Sequence, residues 1–137
     1  MPTNSERPDY KQLIKSLPAI PWILDWRTKR FTYMGPQIEQ LLGWPRESWE
    51  TAHNFANRIH PLDRDRVIEF YLTQAFVTSD FETEYSALTI SGEFVLIRDM
   101  VHVSRNEEGE IYQLIGFMIA PRLMRVDPNR HDRGTEF

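Results

Sequence analysis

The hydrophobic pattern of the chain changes its period at Asp80. Over residues 81–87, apolar or weakly polar side chains alternate with Glu and Ser, the pattern of a half-buried strand. Glycine-containing turns are expected at 91–93 and 106–109, with strands over 94–104 and 110–120. The second half of the chain therefore predicts a three-stranded antiparallel meander.

Two strands and several helices are predicted ahead of this meander. Residues 20–26 and 31–34 have strand composition and are separated by a short polar turn. A short apolar helical face then ends at Gly43. The longest helix should begin after His60, which would cap it, and run from Pro61 to about Thr78. The predicted order is strands, helices and strands, which indicates an α+β domain.

The last predicted strand is apolar on both faces, which is typical of a central strand covered on both sides. One face carries Ile111, Ile115 and Phe117, and the other carries Tyr112, Leu114 and Met118. Residues 9–17 carry an apolar stripe that predicts a short amphipathic helix. An interface with a second copy is accordingly predicted at Tyr10, Leu13, Ile14, Leu17, Tyr112, Leu114 and Met118.

Composition narrows the classes of function. A chain of 137 residues fits one domain, and the absence of cysteine removes disulfides, thiolate chemistry and cysteinyl cofactor adducts. The net charge of −4 disfavours a nucleic-acid surface, and no apolar run approaches the length of a membrane span. These features predict a soluble cytoplasmic domain that contacts neither nucleic acid nor membrane.

Two motifs carry a resemblance to a known family. Residues 33–44 read YMGPQIEQLLGW and resemble the PAS-domain stretch Y-x-S-P-Q-x-E-x-L-L-G-Y. Residues 59–64 read IHPLDR and resemble the family's I-H-P-D-D-R, the HPxDR type of bacterial sensor kinases and cyclic-di-GMP signalling proteins. Residues 81–85, Gly92, residues 106–109 and Gly116 follow in the family's order. The chain thus resembles a PAS domain over about residues 18–120, with an N-terminal extension at 1–17 and a tail or linker at 121–137.

The resemblance implies a PAS-like fold, a five-stranded antiparallel sheet with short helices and one longer helix packed on one face. It also implies a sensory or dimerisation module of bacterial signal transduction, including two-component systems. The effector would be a histidine kinase, a diguanylate cyclase or a transcription regulator. The family's usual closing Asp-Ile-Thr is replaced here by Ala120-Pro121-Arg122, which puts the usual coupling to a following helix in question.

The cofactor is left open by the sequence. Haem is disfavoured because Val67 occupies the position of the ligand in haem-binding relatives, and a cysteinyl flavin is excluded. A flavin held without a covalent bond, a small metabolite and an empty pocket remain alternatives. No two histidines share the i, i+4 spacing of a helical zinc site, so no metal site is predicted.

The candidate ligand-binding residues are aromatic or polar side chains expected near the pocket: Tyr33, His53, Phe55, Arg58, Tyr71, Tyr85 and Arg98. Arg58 and Arg98 are the members that could fix an anionic group. The main hypothesis is a non-catalytic module that binds a small ligand, forms a homodimer, or does both. The alternatives are a ligand-free dimerisation module and a small enzyme, for which Asp25, Asp99 and His102 would supply acid–base groups.

Overall fold

The computed structural model describes residues 19–121. Their elements follow in this order: β1 (Ala19–Asp25), β2 (Arg30–Met34), α1 (Gln37–Leu42), a 3₁₀ turn (Arg46–Ser48), α2 (Ala52–Asn57), α3 (Pro61–Val77), β3 (Asp80–Leu88), β4 (Phe94–Arg105) and β5 (Ile111–Ile119). The predicted order of strands, helices and meander is therefore confirmed, and the long helix ends one residue earlier than expected.

The five strands form one antiparallel sheet in the order β2-β1-β5-β4-β3. The first and the last strand of the described chain are thus neighbours near the middle, where Trp22 lies opposite Gly116. The inner face of the sheet packs against the helices and forms the main hydrophobic core. This face positions the functional site described below.

The turn at His60 fastens α3 to its neighbours. The Nδ1 atom of His60 accepts a hydrogen bond from the Leu62 amide at 3.0 Å, which caps α3 as the sequence predicts. Asp63 accepts one from the Ser86 amide of β3 at 3.0 Å. Arg64 Nε donates to the Ala56 carbonyl of α2 at 2.8 Å. The residues of this turn therefore hold α2, α3 and β3 together, and their role is structural.

The two faces of β5 differ more than its sequence suggests. Leu114 and Met118 are each only 2% exposed and lie in the core, whereas Phe117 on the opposite face is 39% exposed. The expectation that Leu114 and Met118 contribute to an interface needs correction, because a second copy cannot reach side chains buried under the helices. Tyr112, at the start of the strand, is half exposed. The open face of β5 is instead formed by Ile115, Phe117 and Ile119.

Tyr10, Leu13, Ile14 and Leu17, together with the predicted extension and tail, lie outside the described residues, except that Pro121 is described. No helix within residues 19–121 has the length and apolar character needed to cross a bilayer.

Candidate functional site

A cavity of about 70 Å³ lies between the inner face of the sheet and the helices. Strands β1, β2, β4 and β5 and helices α2 and α3 contribute to its lining. Its walls are almost wholly apolar, and the lining residues are Trp22, Leu24, Trp26, Lys29, Phe31, Ala52, Phe55, Ile68, Tyr71, Leu72, Asp99, Leu114 and Met118. The cavity therefore places one carboxyl group within an aromatic and aliphatic enclosure.

Asp99 is completely buried and accepts three hydrogen bonds. Trp22 Nε1 donates to Oδ1 at 2.8 Å. The hydroxyl groups of Tyr71 and Tyr85 both donate to Oδ2, the latter at 3.1 Å. These donors come from β1, α3 and β3, so one carboxyl on β4 connects four elements of the fold. A buried polar group with this many partners fixes the relative positions of the elements that carry them.

The alternation of β4 explains how a carboxyl reaches the interior. Ile97, Asp99, Val101 and Val103 share the inward face, and all four are buried. Trp22 reaches Asp99 from β1 across the intervening strand β5, where Gly116 stands opposite Trp22. Gly116 leaves room for the indole, because a Cβ there would lie 2.3 Å from Cζ2 of Trp22. Gly116 therefore makes room for the indole that donates a hydrogen bond to Asp99.

Burial controls the ionisation of this site. It raises the pKa of Asp99 from 3.8 to about 7, and the hydrogen bonds from Tyr71, Trp22 and Tyr85 only partly oppose that rise. Burial also raises the pKa of Tyr71 and of Tyr85 well above 10, with the nearby Asp99 charge as a further cause. Both tyrosines consequently stay neutral donors while Asp99 changes its charge near neutral pH.

Leu72 is the exposed member of the lining, and together with the partly exposed Lys29 and Trp26 it forms the rim of the cavity. The ammonium group of Lys29 donates to the Trp26 carbonyl and lies 3.6 Å from the centroid of a Trp26 ring. Burial lowers the pKa of this lysine. The rim thus already contains one cation held against an aromatic face.

Three of the seven predicted ligand-binding residues belong to this region. Phe55 and Tyr71 line the cavity, and Tyr85 lies behind it through its bond to Asp99. The Phe55 ring makes edge contacts with both tyrosines, at centroid distances of 5.7 Å and 5.5 Å. Local sequence pattern was enough to find these aromatics, because they stand on the apolar faces of α2, α3 and β3.

The other four predicted residues lie away from the cavity. Arg58 is stacked between Trp44 and Trp49, at 4.1 Å and 4.5 Å from their ring centroids, and also bonds Ser48. Three sit elsewhere on the surface: Tyr33 beside Arg46, exposed His53 beside Asn57, and Arg98 paired with Glu84 at 2.7 Å. Neither arginine is placed to hold an anion in the cavity.

The three residues of the enzyme alternative are dispersed. Asp25 accepts hydrogen bonds from Thr28 in the β1–β2 turn, and His102 pairs with Asp80 on the outer face at 2.9 Å. Asp99 alone is internal. No group of His, Asp or Glu within residues 19–121 is arranged to hold a metal ion. The sequence predicts Asp99 only as an acid–base group and does not single out Trp22, although an acid on the apolar side of an alternating strand is a visible signal.

Comparison with known proteins identifies the family to which this architecture belongs. The family model described as the PAS fold matches residues 31–118. The chain belongs to the PAS-fold family. The N-terminal domain of a diguanylate cyclase with a PAS/PAC sensor from Marinobacter aquaeolei is 47% identical, with a TM-score of 0.74, and the match covers 77% of this chain and 97% of that one.

Two more distant structures share the PAS fold. A sensory box histidine kinase/response regulator from Burkholderia thailandensis is 22% identical over 85% of this chain and 88% of that chain, with a TM-score of 0.67. A domain of a putative light and redox sensing histidine kinase from Haloarcula marismortui is 17% identical over 80% and 95%, also with a TM-score of 0.67. No curated protein matches the chain. The predicted PAS resemblance and fold class are confirmed, and the HPxDR type stays a prediction.

Proposed function

We propose that this PAS domain is a cytoplasmic, non-catalytic sensory module that binds a small molecule in its internal cavity and regulates an effector. The observation that carries the proposal is Asp99, a buried carboxyl that lines the cavity and bonds three other elements of the fold. A molecule that changes the hydrogen bonding of this carboxyl would shift the relative populations of the conformations that those elements adopt. The similarity to the diguanylate cyclase sensor domain supports an effector of the cyclase or histidine kinase class.

The test is mass spectrometry of the purified protein under native and then denaturing conditions, with an absorbance spectrum of the same sample. Extra mass that is lost on denaturation would support the sensor and give the mass of its ligand. An absorbance band in the visible range would show a bound chromophore. A protein that stays bare after incubation with candidate metabolites would count against ligand sensing and favour the second candidate below.

The second candidate is a ligand-free homodimerisation module, and the outer face of the sheet favours it. Ile115, Phe117 and Ile119 of β5 form an apolar row there, next to Ile23 of β1 and Met100 of β4. Charged side chains of β3 border this row, with Glu84 paired to Arg98 and Asp80 to His102. An apolar centre with a charged rim is the usual anatomy of a protein interface.

We expect Phe117→Asp to abolish a homodimer formed through this outer face and to leave the fold intact. Phe117 is 39% exposed, so a charge at this position costs little in the monomer but would be buried without a partner in the dimer. The measurement is sedimentation equilibrium, with far-UV circular dichroism to check the fold. The double change Leu13→Asp and Ile14→Asp tests the predicted N-terminal contribution in the same way.

The matched control is Leu62→Asp, which also replaces an exposed apolar side chain but lies in the first turn of α3, where it is 88% exposed. It should leave the association constant unchanged. A dimer that survives Phe117→Asp, or that Leu62→Asp disrupts equally, would exclude the outer face as the contact.

A further inference from the structure

The charges around the cavity disfavour anionic ligands. An anion would meet Asp99 and would need a cationic side chain free to pair with it. Among the described residues, Lys29 is the one cation in the lining, and its ammonium is already bound to Trp26. Arg58 and Arg98 are engaged elsewhere, as described above. A carboxylate or phosphate ligand is therefore disfavoured by the residues that surround the site.

The hydrogen bonds of Asp99 leave capacity for one more donor. A carboxylate offers about four acceptor positions on its two oxygens. Within residues 19–121, Oδ2 receives both tyrosine hydroxyls, whereas Oδ1 receives Trp22 Nε1 alone. The available position is thus on Oδ1, and the group that would fill it is an N–H or O–H donor.

The aromatic walls favour a positively charged donor. Trp22, Trp26, Phe31, Phe55 and Tyr71 all line the cavity, and aromatic faces attract organic cations, most strongly where water is excluded. The contact between the Lys29 ammonium and Trp26 shows the same chemistry at the rim. A buried carboxylate among aromatic rings provides both a counter-charge and a soft, apolar surround for such an ion.

The volume limits the ligand to a small molecule. A cavity of about 150 Å³ holds a benzene molecule. The volume of about 70 Å³ in this domain accordingly fits roughly three or four non-hydrogen atoms. Haem and flavin are far larger than this space.

We infer that the cavity binds a small alkylammonium ion, which the aromatic walls enclose and which donates a hydrogen bond to Asp99. This inference rests on the proposed sensing function and specifies its ligand class. Binding would require the ionised carboxylate, and so the affinity would depend on pH.

The groups that face Asp99 set the direction of this pH dependence. Trp22 from β1 does not titrate, and Tyr71 from α3 and Tyr85 from β3 stay neutral because their pKa values are raised. Lys29, in the turn after β1, keeps its ammonium at the rim. With the pKa of Asp99 at about 7, its ionised fraction falls about tenfold between pH 8 and pH 6. The affinity for an alkylammonium ion should fall by the same factor.

The experiment compares isopropylammonium with 2-propanol, which has the same shape and no charge. Titrations of methyl-labelled protein, observed by NMR at Leu114 and Met118, report binding inside the cavity. We expect isopropylammonium to bind at least tenfold more tightly than 2-propanol at pH 8, and to lose about tenfold in affinity at pH 6. Asp99→Asn should remove both the preference and the pH dependence, whereas Glu84→Gln on the outer face should preserve them.

Each alternative outcome is informative about a different claim. Equal binding of the alcohol at pH 8 would overturn the ammonium class and leave the sensing function in place. Failure of both probes to bind would overturn the inference and the proposed ligand site together. Ala52→Leu, which narrows the cavity, should abolish binding of either probe; persistence of binding would place the site elsewhere and overturn the inference. If Asp99→Asn does not fold, the pH dependence of the unaltered protein decides the question.

Discussion

Gly116→Ala is expected to reduce the free energy of unfolding by about 3 kcal/mol or more. The added Cβ would lie 2.3 Å from Cζ2, 2.5 Å from Cε2 and 2.8 Å from Nε1 of Trp22. The indole cannot simply move aside, because it is 2% exposed and its Nε1 donates to Asp99. Relief of the clash would therefore break a buried hydrogen bond. Urea denaturation followed by circular dichroism measures the loss.

Two controls separate this clash from a general effect of replacing glycine. Gly92→Ala meets no atom within 4 Å, and its positive φ of 94° adds only backbone strain, so about 1 kcal/mol is expected. In the background of Trp22→Leu, which removes the indole, Gly116→Ala should cost far less than in the natural sequence. Costs that are equal in the two backgrounds would show that the Trp22 contact is not the reason for the glycine.

Asp99→Asn is expected to become progressively more favourable relative to the natural protein as the pH rises from about 4 to about 7. The folded-state pKa of Asp99 is raised to about 7, above the ordinary value of 3.8. Its contribution to stability is consequently complete below pH 3.8 and is lost as the pH rises through 7. The full change is of order 4 kcal/mol, with a slope near 1.4 kcal/mol per pH unit. Asparagine does not ionise and lacks this loss.

Urea denaturation of both proteins at pH 5, 6, 7 and 8 gives the difference in free energy of unfolding. Asp25→Asn is a control that should show no pH dependence over this range, because hydrogen bonds from Thr28 lower the pKa of Asp25 and keep the carboxylate ionised from pH 5 to pH 8. The stabilisation from Asp25 is present above its ordinary pKa of 3.8 and is lost as the pH falls through the folded-state value. A difference for Asp99→Asn that stays constant from pH 5 to pH 8 would contradict a raised pKa at this site.

The fold could be predicted from the sequence to a large extent because its signals are local. The His60-Pro61 turn, the Gly43 helix end and the alternation after Asp80 each fix an element within a few residues. The assignment of faces was less successful, since period two in β5 separates its two sides without showing which one the helices cover. The pattern therefore predicts Leu114 and Met118 at an interface, although the helices bury them.

The candidate site was predicted only in its aromatic part. Phe55, Tyr71 and Tyr85 follow from apolar periodicity, whereas Asp99 owes its role to Trp22, which is 77 residues away in sequence. No local pattern reveals a contact of that kind. The two arginines illustrate the reverse error: Arg58 has aromatic partners nearby in sequence, and Arg98 lies on the strand face opposite its neighbour Asp99. Residue type suggested a role that the geometry does not give them.

The strand order also has a mechanical consequence. Because β1 and β5 are antiparallel neighbours, Ala19 and Ile119 are paired, and the segments on either side of the domain leave from the same end of one ladder. Tension between those segments would peel the two strands apart pair by pair, since the load falls on the terminal hydrogen bonds rather than along the whole ladder. Only three residue pairs precede Trp22 and Gly116. A weak pull, which separates only the first few residue pairs, would thus disturb Trp22 and Gly116 at the cavity before the rest of the sheet unravels. The domain would respond to force at the same place at which it holds Asp99.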